Sequence, residues 1–116
     1  MGAKLITSFG REDYNTALGA VAEALRAGEL VIFPTETVYG LGAAATHGEA
    51  TRRLRELKGL NAAQGLTVHI AEPRDVLRFV PGIGALGRRL ARRAWPGALT
   101  LAFEDVSPAD AAVASE

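Results

Sequence analysis

A short apolar run, Leu30-Val31-Ile32-Phe33, stands between Gly28 and Pro34, and nothing else in the chain constrains its fold as much. Four apolar residues closed by a proline are too few for a helix and leave no polar face. Such a run reads as a buried strand. Its two faces need helices to cover them, and the flanking sequence supplies these. Asp13 is placed to cap a helix running to Arg26, with Tyr14, Leu18, Val21 and Leu25 on one apolar face and Gly28 as its stop. Downstream, Thr46-His47-Gly48-Glu49 fits the capping-box spacing. It opens a second helix with Ala50, Leu54 and Leu57 inward, ended by Gly59.

The remaining segments continue the alternation. Leu66-Thr67-Val68-His69-Ile70 alternates as a second strand, and Pro73 starts a short helix through Val76 and Phe79, broken at Pro81-Gly82. A further helix places Ile83, Leu86 and Leu90 inward and Arg88, Arg89, Arg92 and Arg93 outward. After Trp95-Pro96-Gly97, the run Leu99-Thr100-Leu101-Ala102-Phe103 reads as a third strand. The order α-β-α-β-α-α-β argues for an α/β layered sheet. Residues 1–104 form the expected domain, followed by a polar, Ala-rich tail over 105–116.

Composition excludes several chemistries. Without cysteine there is no disulfide, zinc-thiolate site or thiol nucleophile. No stretch approaches the length of a membrane span and the start lacks a signal-peptide apolar region, so a cytoplasmic protein with no membrane partner is expected. Net charge is zero, yet residues 104–116 carry four acidic residues and no basic one. The rest therefore has 13 basic against 9 acidic residues, a net of +4. Solvated helix faces are the ordinary explanation, and phosphate-bearing partners the functional one.

The stretch with most chemistry is Phe33-Pro34-Thr35-Glu36-Thr37-Val38-Tyr39-Gly40-Leu41-Gly42. A strand delivers two hydroxyls, a carboxylate and a phenol into one loop before two glycines. Hydroxyls and glycine-freed backbone N–H groups at a strand end can bind a small polar ligand or a phosphate. The plainer reading is a turn whose threonines satisfy their own backbone.

This loop resembles the signature of the YrdC-like family of threonylcarbamoyl-AMP synthases. A helix ending in Lys58, then Gly65-Leu66-Thr67-Val68-His69-Ile70, then Trp95-Pro96-Gly97-Ala98-Leu99-Thr100 follow in that family's order. The resemblance implies a twisted open sheet with flanking helices, short on its C-terminal side. It also implies an enzyme, a nucleotidyltransferase joining L-threonine, bicarbonate and ATP into threonylcarbamoyl-AMP and pyrophosphate for tRNA modification. ATP would enter as a substrate with Mg2+, with no tightly bound cofactor and no resident metal. Carried over by resemblance, Thr35, Tyr39 and His69 belong to the threonine pocket and Lys58 reaches the ATP phosphates. Lys58 would also complement its helix dipole in any fold, and His69 would be unremarked as a strand histidine.

The chain departs from the family pattern in two places. The expected Lys-x-Arg reads Lys58-Gly59-Leu60, and leucine supplies neither charge nor a fork of donors. Arg55, one turn earlier, is the nearest substitute. The family's later Ser-x-Asn motif is absent from 107–116. Two rival readings follow. Arg52, Arg53 and Arg55 beside Lys58, with Arg88, Arg89, Arg92 and Arg93, would track phosphates of double-stranded RNA or tRNA. Alternatively the chain is a non-catalytic remnant that self-associates or needs a complementing chain. Gly82-Ile83-Gly84-Ala85-Leu86-Gly87 fits G-x-G-x-x-G, but the segment before it reads as helix, which argues against a dinucleotide site.

Overall fold

The computed structural model describes residues 2–7, 10–61 and 64–103. The expected tail over 105–116 lies outside the described residues. The chain divides into two compact units, Met1–Lys58 and Gly59–Glu116.

In the first unit, α1 (Arg11–Arg26) leads to β1 (Val31–Phe33), β2 (Gly40–Gly42) and α2 (Gly48–Lys58). The N-cap of α1 is Gly10, so Asp13 is not the cap; Glu12 and Asp13 lie in the first turn, where carboxylates complement the helix dipole. At the other end Gly28 has a φ of 80°. Its N–H donates to the Leu25 carbonyl at 3.0 Å, and the Glu29 N–H donates to that of Ala24 at 2.9 Å. These two bonds are a Schellman closure, which needs a left-handed residue at this position. The glycine thus turns the chain sharply into β1, against which α1 packs. Within α1, Val21 and Leu25 are half-buried, whereas Tyr14 and Leu18 are exposed.

β1 and β2 pair antiparallel, with Val31 opposite Gly42, Ile32 opposite Leu41 and Phe33 opposite Gly40. The sequence pattern places one strand here and leaves 35–42 as loop; the last three of those eight residues, Gly40–Gly42, are the returning strand. In α2 the buried residues are Ala50, Thr51, Leu54 and Arg55. Leu57 is 69% exposed, against expectation. At 100° per residue it lies roughly 90° round from the centre of that stripe.

The cap of α2 is His47 rather than Thr46. The Ala50 N–H donates to His47 Nδ1 at 3.3 Å, and the Thr51 N–H to the His47 carbonyl at 3.0 Å. The same imidazole lies on Gly28: a Cβ added there would sit 2.5 Å from His47 Nε2. One side chain therefore joins the start of α2 to the end of α1.

The second unit holds a 3-10 turn (Pro73–Asp75), α3 (Val76–Phe79) and α4 (Ala85–Ala94). Glu72 and Asp75 form a reciprocal capping box, and Val76, Ile83 and Ala91 are buried. Contrary to expectation, Leu86 (69% exposed) and Leu90 do not face inward. The inner stripe of α4 runs through Gly87 and Ala91, one residue out of phase and so rotated by about 100°. Gly87 explains the choice, because a Cβ there would lie 2.8 Å from Ile83 and 3.1 Å from Phe103. The bare backbone lets both side chains approach.

The expected strands at 66–70 and 99–103 are not assigned as strands. Their alternation nonetheless survives as burial: Leu66, Val68 and Ile70 are half-buried while Thr67 and His69 are exposed. Side-chain periodicity is a property of the segment itself, whereas a ladder needs a neighbour. Among the described residues, the sheet is the β1–β2 pair.

Candidate functional site

The six residues 34–39 join β1 to β2 and carry the candidate chemistry. Thr35 organises them. Its Oγ1 accepts the Thr37 N–H at 3.3 Å and the Val38 N–H at 3.2 Å, and its own proton goes to the Val38 carbonyl. The turn is thus closed by a threonine satisfying its own backbone. Thr35, Glu36, Thr37, Val38 and Tyr39 are all exposed, Tyr39 at 77%.

The glycines after the loop have a different task from the one their spacing suggests. A Cβ on Gly40 would lie 2.7 Å from Phe33 Cζ, and one on Gly42 2.9 Å from Phe33 Cε1. The ring of Phe33 lies across both. The two glycines therefore let the Phe33 ring lie over β2, next to where the loop ends.

Lys58 is the last residue of α2, is exposed, and is followed by Gly59 with a φ of 65°. It belongs with Thr35 and Tyr39 to the first unit. His69 is exposed in the second. Leu60 is half-buried, so the position where an arginine is expected holds an apolar side chain partly withdrawn from water.

The arginines divide by environment. Arg55 is 7% exposed, which corrects its place in a solvent-facing cluster and as a substitute for the missing arginine. Arg52 pairs with Glu49 at 2.5 Å and with Glu56. Its hydrogen bond holds the Glu49 carboxyl below the usual carboxylate range, and the pairing raises Arg52 in turn. Both ends are solvent-exposed, so screening leaves the pair little weight in stability. Arg53 is exposed beside them. On α4, Arg88, Arg89, Arg92 and Arg93 are all exposed, as expected, and Arg88 also donates to the Ile83 carbonyl at 3.2 Å.

Two other motifs find structural roles. The residues before Gly82 are helical, so no strand delivers the G-x-G-x-x-G glycines to a nucleotide, and Gly87 serves packing. In the Trp-Pro-Gly turn the Trp95–Pro96 bond is cis, and the indole N–H donates to the Leu99 carbonyl at 2.6 Å. Sequence reasoning missed His47 as a cap and Phe33 as the partner of the loop glycines. For His47, a histidine three residues before Ala50 was the available signal, overshadowed by the neighbouring threonine. No described helix is long and apolar enough to cross a membrane.

Comparison with known proteins bears on the loop directly. The family model Sua5/YciO/YrdC, described as "Telomere recombination", matches residues 23–116. A threonylcarbamoyl-AMP synthase of Pyrococcus abyssi is 47% identical over 77 residues, 66% of this chain and 23% of the relative. The Bacillus subtilis enzyme of that name is 42% identical over 72% of this chain and 24% of its own length. The human one is 37% identical over 89% of this chain and 36% of its own. Among these relatives the chain spans between 23% and 36% of their length. No solved structure matches the chain significantly. Given a model match over residues 23–116, which include the whole 34–42 signature, the chain belongs to the Sua5/YciO/YrdC family.

Proposed function

We propose that this chain carries the threonine-binding loop and a phosphate-binding lysine of a threonylcarbamoyl-AMP synthase. The observation that carries the reading is the 34–39 loop, presented in the open at the end of β1 and lying within residues 23–116, which the family model matches. In the proposed reaction L-threonine and bicarbonate condense to a carbamate. A carbamate oxygen then attacks the α-phosphorus of ATP and pyrophosphate leaves. The protein's part is positioning and charge neutralisation, with no covalent nucleophile. Thr35, Tyr39 and His69 are assigned to threonine, and Lys58 to the phosphates of ATP carrying Mg2+. The activated product would serve tRNA modification.

The test is pyrophosphate release by the purified chain, with threonine and bicarbonate each added and omitted. Release that requires both is expected to be weak, because Leu60 leaves the triphosphate without a fork of donors. A well-folded sample releasing none under any condition overturns catalysis by this chain. The arginines leave a phosphate-tracking role as the competing outcome, recognised by RNA binding that falls steeply with salt and ignores threonine.

Leu60 supplies a second prediction. Replacing it by arginine restores a fork of donors two residues after Lys58, and Leu60→Arg should tighten ATP binding about tenfold, the worth of one charge-assisted bond. Titration of both proteins with ATP measures this. Equal affinities would show that position 60 does not face the phosphates.

A further inference from the structure

We propose that the exposed arginine face of α4 is a docking surface for this chain's own acidic segment, residues 104–116. Arg88, Arg89, Arg92 and Arg93 bring four positive charges to a ten-residue helix that has no acidic residue of its own. Like charges one turn apart repel. On α2 the same problem is solved within the helix, where Arg52 pairs with both Glu49 and Glu56. Among the described residues, none of the α4 arginines forms an ion pair. Through Phe103 the second unit holds six arginines and two carboxylates, Glu72 and Asp75. Both are taken: Glu72 pairs with Arg74, and Asp75 completes the capping box. The unit's other carboxylates are Glu104, Asp105, Asp110 and Glu116, four for the four arginines of α4.

Phe103 brings the segment to the right place. Its ring packs on α4 at Gly87, 3.1 Å from where a Cβ would stand, so the chain enters residue 104 close to the helix. Ten residues of helix extend about 15 Å and thirteen residues of chain can reach about 45 Å, which puts every arginine of α4 within range. The helix also exposes Leu86 (69%) and Leu90 (40%). With Arg89 and Arg93 they span about 100° of its circumference. The segment has valines to set against them: Val106 follows Glu104 and Asp105, and Val113 stands between Asp110 and Glu116. Exposed ion pairs are individually weak. Tethering at this reach holds the partner at a roughly millimolar effective concentration, so that several weak contacts act together. An anion approaching α4 would then meet arginines already neutralised, and would have to displace the segment.

The experiment uses the full chain, which has no cysteine, so Ser115→Cys provides a single thiol for a nitroxide spin label. At about 0.1 M salt the α4 amide signals should lose most of their intensity in NMR spectra. At about 1 M salt, where the screening length falls from about 10 Å to about 3 Å, they should recover to the level that tethering alone produces. Replacing the four carboxylates by their amides (Glu104→Gln, Asp105→Asn, Asp110→Asn and Glu116→Gln) should give that recovered level at 0.1 M. The pair Arg89→Glu and Arg93→Glu should do the same from the other side, and both positions are exposed, so the helix itself should persist. Broadening that neither salt nor either set of substitutions changes overturns the proposal, because tethering would account for all of it. So does broadening in an unlabelled chain mixed with a labelled one, since the occupant of α4 would then be a second copy. None of these readouts involves the 34–39 loop, so the proposal stands or falls apart from the assignment of that loop to threonine.

Discussion

Replacing Gly28 by alanine should destabilise the first unit by about 2–4 kcal/mol, more than any other single methyl added to its surface turns. Two costs combine there. An L-residue held in the left-handed region loses about 1–2 kcal/mol, and Gly28 sits at a φ of 80°. The added Cβ also enters the His47 ring, 2.5 Å from Nε2 and 2.6 Å from Cε1, and overpacking of this kind costs about 1–3 kcal/mol. Gly59 separates the two. Its φ is 65°, but a Cβ there meets nothing within 4 Å. Gly59→Ala should therefore show the backbone cost alone, about 1–2 kcal/mol. His47→Ala loses the α2 cap, worth about 1 kcal/mol, but opens space over Gly28. In the double variant the two losses should sum to less than their separate values, by about 1 kcal/mol or more. Denaturant titration of the four proteins measures the cycle. Strict additivity would mean that the imidazole yields freely and the cap is independent of α1.

These residues also mark where the sequence was legible. The helices, their glycine stops and the first strand follow from short-range rules that need no neighbours: Gly28 and Gly59 end helices because a left-handed residue is required there. The signature loop was legible for the same reason, as a contiguous string. Three features were not. Which face of α4 turns inward depends on Phe103, sixteen residues beyond Gly87 in sequence. Leucine at 86 and 90 makes a better hydrophobic stripe than glycine and alanine at 87 and 91, and only the approach of a distant ring reverses the choice. The capping box at Thr46 lost to His47 because the imidazole meets the α2 N-terminus and Gly28 together, a contact that spans a strand pair. Arg55 reads as one of a basic series, yet its stripe on α2 is the buried one. Each miss has one cause: long-range packing chose among local options of similar strength.

Gly40→Ala carries the second large effect, and it decides what the loop glycines are for. In one account they free the backbone for a ligand. In the other they make room for Phe33, whose ring lies 2.7 Å from the position of a Gly40 Cβ and 2.9 Å from that of Gly42. With both glycines beneath it, the ring has no displacement toward the strands that relieves a methyl at 40. It must swing outward and expose its face. The expected result is a loss of about 1–3 kcal/mol, with loosening of the β1–β2 pair and, through the shifted ends of the 34–39 loop, weaker threonine binding. The companion variant is Phe33→Leu combined with Gly40→Ala. A smaller, flexible side chain admits the methyl, so the double variant should be more stable than the sum of the two single losses implies. Stability from denaturant titration and threonine affinity from calorimetry should then fall and recover together. If Gly40→Ala left stability untouched while abolishing binding, the glycine would be there for the ligand. The ring contact would be incidental, and the phosphate-cradle reading of Gly40-Leu41-Gly42 would return.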